Sequence, residues 1–203
     1  MKDEKGNVVL GRTRWRRFAI LMVPATAAGV ALMGGMASGA IGASFAISGK
    51  QFKVASSQLD GDGFVQYGGV DKDADGKEIP VIVSGIKSAT LADICQSVAV
   101  VPGQVTVVLK AGGSVGPVTA TDLYIDMAQL QGDAEFTNVE IGNDASKLNK
   151  GPGKVGDKGM FGQQGDHIKV KNVRQMTYAT SAGTFKLKGM DLALQFGPGK
   201  ECF

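Results

Sequence analysis

The chain has 203 residues and a formal net charge of +3. Much of the positive charge lies in residues 1–17, so the charge balance gives no reason to expect nucleic acid as a partner. The stretch from residue 48 to residue 203 is long enough for one ordinary domain and does not predict a second one.

Residues 1–17 form a basic leader that contains Lys2, Lys5 and four arginines. The thirty residues that follow, 18–47, carry no charged side chain. As a helix, this segment would be roughly 45 Å long, which is more than the ~30 Å hydrocarbon core of a bilayer requires. We therefore predict a transmembrane helix at 18–47, with the leader close to anionic lipid headgroups.

A cleaved signal peptide is the alternative to a retained anchor, because both begin with basic residues followed by apolar ones. Small-x-small triplets at 38–40 and 44–46 would suit a signal peptidase. The apolar run is about twice the roughly 7 to 15 residues of a signal peptide, which favours the anchor. The positive-inside rule then keeps the leader in the cytoplasm and places residues 48–203 outside the cell membrane.

Small side chains recur every fourth residue along one ridge of the predicted helix. They are Ala27, Ala31, Gly35, Gly39 and Ala43. In lipid, small residues at this spacing let helices approach closely and pack. The ridge therefore predicts a homo-oligomer or packing against another membrane protein. Chance is the alternative, because the chain is rich in glycine, with 30 in all.

Beyond residue 48 the sequence alternates apolar and polar residues, as strands with one buried face do. The clearest run is 190–196, and its predicted buried face consists of Met190, Leu192, Leu194 and Phe196. Glycine and proline separate this run from similar ones at 79–83, 105–109 and 123–127. We predict a mainly β domain over residues 48–203, built as an antiparallel β sandwich, an open barrel or a curved sheet.

Three segments depart from the strand pattern. Residues 88–98 have a moderate helical pattern, and 144–149 could form a helical turn or two. Residues 147–165 are rich in glycine and lysine, with only Val155, Met160 and Phe161 to bury. Long loops of this kind are often binding or assembly elements.

Asp71, Asp73 and Asp75 precede Gly76 and reproduce the first half of a calcium-binding loop. The bidentate glutamate expected at position twelve of such a loop is replaced by Ile82. Acidic residues beside glycine are also ordinary hairpin chemistry. We predict no cofactor, and calcium held by these three carboxylates is the alternative.

The chain has two cysteines, Cys95 and Cys202. In a domain outside the cytoplasm, this even count predicts one disulfide that ties the C-terminal end to the middle of the domain. Two unpaired, buried thiols are the alternative. The spacing does not suit a zinc site, because no C-x-x-C and no cluster of cysteine with histidine is present.

Residues 112–116 match the G-x-S-x-G pattern of a nucleophilic serine, with Ser114 at its centre. An acid such as Asp126 and the single histidine, His167, follow in the order of the α/β-hydrolases. A nucleophile elbow needs a strand that turns sharply into a helix, whereas Pro117 and a strand-like run follow here. We therefore interpret Ser114 as part of a glycine-rich turn and predict no enzyme activity, with a serine esterase as the remote alternative.

Nearly the whole chain resembles a family of actinobacterial single-pass membrane proteins of unknown function that are often labelled cholesterol esterase. The resemblance rests on the basic leader, the apolar segment and several sequence blocks. These blocks are ATLADICQSV, TATDLYIDMAQLQGDAEFTNVEIGNDA, GMFGQQGDHIKVKNVRQMTYATSAGTFKLKGMDLAL and the terminal ECF. The resemblance implies a cell-envelope location and a small multi-pass membrane protein as a partner, and it supplies no catalytic residues.

The sequence therefore predicts a non-catalytic, membrane-anchored envelope protein that assembles with copies of itself or scaffolds a membrane complex. The alternative is a lipid-binding or lipid-transfer protein, in which one apolar sheet face stays open as a groove for acyl chains. Membrane lipid is a predicted contact in both cases.

Overall fold

The computed structural model of the chain describes residues 48–203. The predicted leader, transmembrane helix and small-residue ridge, including Ala27, Ala31, Gly35, Gly39 and Ala43, lie outside the described residues. Within residues 48–203, nine strands form a single sheet in which every pairing is antiparallel. The strands are β1 Phe52–Lys72, β2 Glu78–Ala92, β3 Ile94–Val101, β4 Val105–Ala111, β5 Val118–Thr137, β6 Glu140–Asp144, β7 Phe161–Ser181, β8 Thr184–Lys186 and β9 Asp191–Phe196. The prediction of a mainly antiparallel β domain is confirmed.

No helix within residues 48–203 is both long enough and apolar enough to cross a bilayer.

The four longest strands close into a ring. Strand β1 pairs with both β2 and β7, and β5 pairs with the same two strands. Each of these strands is therefore hydrogen-bonded on both sides over much of its length. Among the described residues the architecture is one sheet that closes on itself, and the predicted sandwich of two sheets is not formed.

The inside of the ring is filled with apolar side chains contributed by all four strands. Alternate residues of a strand point to the same face, so the inward row of each strand contributes to a common core. Phe64, Leu123, Met127 and Val173 are each about 1% exposed there. The void among these side chains measures about 10 Å³, which is the space of roughly one water molecule. The ring is therefore a packed core and has no room inside for a ligand.

Three strands extend the sheet beyond the ring, and we call β3, β4 and β9 the wing. Strand β3 follows β2 after Asp93 and pairs with the first residues of β1, Lys53 to Ala55. Strand β4 then pairs with β3, and β9 pairs with β4 at the end of the sheet.

The predicted helix at 88–98 is wrong, because these residues complete β2 and form most of β3. Pairing with β1, β4 and β5 on both sides overrides a moderate local helix preference.

A loop, residues 148–160, covers part of the outer surface of the ring. Val65, Tyr67, Ala145 and Leu148 form a small apolar cluster between the loop and the sheet. The loop backbone approaches the sheet so closely that a Cβ on Gly156 would lie 2.8 Å from a ring carbon of Tyr67. The helical turn predicted at 144–149 is present as a short 3-10 helix, Ala145–Lys147.

The loop buries different residues from those that the sequence suggested. Val155, Met160 and Phe161 are all more than 40% exposed, whereas Leu148 is buried. The predicted loop also ends earlier than expected, because Phe161 already begins β7. The segment therefore packs against the ring at Leu148 and Gly151, whereas residues 153–155 and 157–160 are exposed.

Lys150 fastens the start of this loop to the rim of the ring. Its ammonium group lies 2.9 Å from a carboxylate oxygen of Asp166 and 3.2 Å from one of Glu140. The side-chain oxygen of Gln164 accepts hydrogen bonds from the amides of Asn149 and Lys150. Hydrogen bonds lower the pKa of Glu140, and the bond from Gln164 has the largest effect. The hydrogen bond from Lys150 lowers the pKa of Asp166.

Gly61 is a position where the packed ring should not accept a larger side chain. A Cβ there would lie 2.6 Å from a methyl carbon of Ile86 on the neighbouring strand. We expect Gly61→Val to lower the free energy of unfolding by about 1–3 kcal/mol, as overpacked cores do. Chemical denaturation of the full chain measures this change. Gly68→Val is the control in the same strand, because the nearest atom to its Cβ would be the end of the flexible Met160 side chain at 3.4 Å. Equal effects of the two substitutions would contradict the packed interior.

Candidate functional site

The three residues considered for a catalytic triad lie apart. Ser114 is exposed in a short 3-10 turn, Gly113–Val115. The β5–β7 ladder places Asp126 opposite Ala179 and His167 opposite Thr137. Twelve residues of β7 separate these two levels, which corresponds to about 40 Å along the strand. The fold therefore does not assemble Ser114, His167 and Asp126 into one site.

His167 has other acidic partners, and all of them lie on the outer surface of the ring. Its Nδ1 atom is 2.9 Å from a carboxylate oxygen of Asp62, and its Nε2 atom is 3.5 Å from one of Asp60. The hydroxyl of Ser88 lies 3.4 Å from the second oxygen of Asp62. These contacts tie β7 to β1 and β2 across the surface.

The acidic turn 71–76 connects β1 with β2. One carboxylate oxygen of Asp73 accepts hydrogen bonds from the amides of Asp75 and Lys77, at 3.0 Å and 2.9 Å. Asp73 therefore closes the hairpin, while Asp71 remains within β1 opposite Ile79. Across residues 48–203, no three acidic, histidine or cysteine side chains are grouped as ligands of a metal ion.

A cluster of tyrosines and aspartates lies between the outer face of the ring and the covering loop. Tyr67 and Asp126 flank Val83 on either side, because both are its partners in the sheet. The amide of Lys154, in the loop, donates to the hydroxyl oxygen of Tyr124 at 2.6 Å. The ammonium group of Lys154 also lies 5.2 Å from the centre of the Tyr124 ring. The loop is thus held against buried tyrosines by a hydrogen bond and a cation–π contact.

The carboxylates of this cluster are shifted toward their protonated forms. Burial, followed by the charge of Asp71, raises the pKa of Asp126 to about 6, and Lys154 partly opposes this shift. Burial also raises the pKa of Asp71, one of whose carboxylate oxygens is buried without a hydrogen-bond partner. Burial raises the pKa of Tyr67 and Tyr124. The cluster is therefore more stable when Asp126 carries a proton.

The front face of the wing is apolar along β4 and β9, and it is most exposed along β9. Leu192, Leu194 and Phe196 of β9 are 59%, 58% and 70% exposed. In the sheet they lie opposite Leu109, Val107 and Val105 of β4, in that order. The sequence predicted this row, together with Met190, to be buried. That expectation is wrong for the described residues, and the exposed row is the candidate functional site.

The rear face of the wing is covered by the end of the chain. A disulfide joins Cys202 to Cys95 on β3, and the amide of Cys202 donates to the hydroxyl of Ser97 at 3.0 Å. The ammonium group of Lys53 lies 2.9 Å from Glu201 and 2.7 Å from the carbonyl oxygen of Phe203. Within residues 48–203, the C-terminal end therefore covers the rear face of the wing and leaves the β9 row of the front face exposed.

The two outermost strands of the sheet differ in how their edges are protected. Strand β6 carries Glu140 and Asp144, contains Gly142 at a positive φ of 93°, and shifts register between Ile141 and Asn143. Charges and bulges of this kind discourage further strand pairing. Strand β9 has an unbroken register with β4, and its only charged residue is Asp191 at its start. The edge of β9 is thus the less protected of the two.

Sequence reasoning missed both the tyrosine–aspartate cluster and the open face. Tyr124 and Asp126 do occupy the outward positions of the alternating run 123–127, but nothing in the sequence shows that residues 148–160 will cover them. The alternation of apolar and polar residues in β9 correctly indicates that one face of the strand is apolar. It does not indicate which surface, if any, covers that face.

Comparison with known protein families gave one match. A model described as "Family of unknown function (DUF6230)" matches residues 48–203. No curated protein matches the chain, and no solved structure does.

The buried position of Asp126 predicts a pH-dependent effect of its neutral replacement. The folded-state pKa, about 6, lies above the roughly 3.9 of an unfolded chain. The stabilisation from protonated Asp126 is therefore complete below about pH 4 and is lost as the pH rises through about 6. We expect Asp126→Asn to raise the melting temperature at pH 7.5 and to change it little at pH 4. Asp157→Asn, in the exposed part of the loop, is the control. A gain that is equal at both pH values would contradict the assignment.

Proposed function

The chain belongs to the DUF6230 family of unknown function, and we propose that it is a non-catalytic protein of the cell envelope. In this proposal residues 18–47 anchor it in the membrane, and the described domain assembles with a further protein through the front face of the wing. The two partner classes are copies of the chain, which the small-residue ridge suggests, and a small multi-pass membrane protein, which the family resemblance implies.

Two observations support the envelope location. The uncharged segment 18–47 follows a basic leader, which is the pattern of an anchor with its N-terminus in the cytoplasm. The disulfide between Cys95 and Cys202 is a bond that persists in oxidising compartments and is rare in the cytosol. The resemblance to actinobacterial membrane proteins agrees with both.

The open face of the wing is the observation that carries the assembly function. Exposed apolar residues that occur singly are normal, whereas a contiguous apolar patch marks a surface that another molecule covers. Leu192, Leu194 and Phe196 form one row, and the β4 residues beside them are also apolar. At about 25 cal/mol per Å², covering the three side chains would contribute on the order of several kcal/mol to binding.

Binding of a lipid or another hydrophobic molecule is the second candidate, and one feature of the wing favours it. Phe52 and Leu109, at the base of the front face, pack against the core of the ring. The apolar interior thus continues onto the open surface, where an acyl chain could lie. Because the interior of the ring is filled, we propose this external surface as the place for such a ligand.

Replacing Leu194 with lysine tests the assembly function. The substitution places a charge in the middle of the exposed row, so a partner that covers the row would have to desolvate it. We expect the particle mass of the full chain, measured by light scattering in mild detergent, to fall from that of an assembly toward that of a single chain. The control is Ile141→Lys on β6, which changes a side chain that is 66% exposed at the opposite edge.

The same preparations separate the two candidates. An unchanged mass for Leu194→Lys, with stoichiometric lipid extracted from the native protein and lost from the variant, would reject assembly in favour of lipid binding. An equal fall in mass for both lysine variants would show that the effect does not belong to the wing.

A further inference from the structure

We infer that the partner of the wing is a second copy of this chain, joined to the first by antiparallel pairing of the two β9 strands. This inference rests on the proposed assembly function and names both the partner and the contact. It concerns the backbone edge of β9 as well as its apolar row.

The edge of β9 is suited to pairing with another strand. One side of the strand is hydrogen-bonded to β4 over residues Asp191 to Phe196, and no other strand of residues 48–203 pairs with its second side. A free edge presents a row of N–H and C=O groups that can extend the sheet. The six residues, DLALQF, include no proline, glycine or lysine. Strand β9 therefore has neither the positive-φ glycine nor the register shift of β6, and it carries one charged residue where β6 carries two.

Symmetry restricts how two such strands can meet. Residues directly opposite in an antiparallel pair point to the same face. If a two-fold axis is perpendicular to the sheet, residues of one face must therefore pair with residues of that face. Two registers satisfy this condition near the centre of β9. In the first, Leu192 faces Leu194 of the second copy and Ala193 faces its own counterpart. In the second, Leu194 faces its own counterpart and Leu192 faces Phe196.

Both registers join the two apolar rows into one continuous surface and oppose no like charges. Asp191 is the one charged residue of β9 and already lies opposite Lys110 of β4. In the first register Asp191 meets Gln195 of the second copy, and in the second register it meets Gly197. Both registers thus place apolar residues opposite apolar ones and leave Asp191 without a like charge opposite it. A strand of another protein would need to match the same apolar spacing without the help of symmetry.

The expected contact is small. One strand edge and three side chains bury less than the roughly 800 Å² per partner of a standard interface. Copies anchored in one membrane are confined near each other, and such confinement raises their effective concentration. We therefore expect the β9 pairing to be most complete in the membrane.

Single cysteines in β9 test the pairing and report the register. The two native cysteines are bonded to each other, so an added cysteine is the free thiol. Ala193→Cys and Leu194→Cys are expressed in the full chain, membranes are treated with a mild oxidant, and dimers are measured on a non-reducing gel. We expect one of the two variants to cross-link at least tenfold more than Ile141→Cys on β6. Cross-linking at 193 would identify the first register, and cross-linking at 194 the second.

The outcomes separate this inference from the proposed function. Cross-linking of both β9 variants at the level of Ile141→Cys, while Leu194→Lys still lowers the particle mass, would overturn the β9 pairing and leave assembly through the wing intact. Background cross-linking together with an unchanged mass would overturn both. Melting temperatures of the two cysteine variants, with mass spectrometry of the native disulfide, confirm that the variants are folded.

Discussion

Closure of the ring by β1, β2, β5 and β7 is the constraint on which the rest of the described structure depends. Because β1 and β5 each pair with both β2 and β7, the apolar faces of all four strands turn inward and meet. An open sheet would leave this apolar face in contact with water and would gain less from hydrophobic burial. The filled interior then fixes positions such as Gly61, where the side chain of a neighbouring strand occupies the available space.

The wing follows from the way the ring closes. The first residues of β1 extend beyond β2, and β3 takes over as their partner. Strands β4 and β9 continue the sheet away from the ring. The apolar residues on their front face therefore have no strand of the ring opposite them. The C-terminal end, held by the Cys95–Cys202 disulfide and by Lys53, covers the rear of the wing. A surface built with the pattern of a core strand is thus left open on its front side.

The sequence was sufficient for those features that local chemistry determines. Alternation of apolar and polar residues indicates strands, and the turn around Asp73 forms a hairpin with the side-chain hydrogen bonds typical of aspartate in turns. The alternation pattern alone could not show which strands pair with each other in the sheet. Residues 88–98 read as helical because their strand character comes from neighbours distant in sequence, and Leu192 to Phe196 read as buried because alternation does not identify what lies opposite. The covering loop, which buries Leu148 and glycines rather than Val155 or Phe161, likewise depends on contacts that the sequence does not reveal.

We propose that a second chain covers the free edge of β9 when the protein is in its membrane. Amide hydrogen exchange along residues 191–196 of the full chain measures this most directly, because strand pairing protects backbone amides from solvent. If the β9 strands pair, the amides of β9 that point away from β4 exchange more slowly in membranes than in dilute detergent, with no such difference along β6. Equal exchange of the β9 amides under both conditions would contradict it.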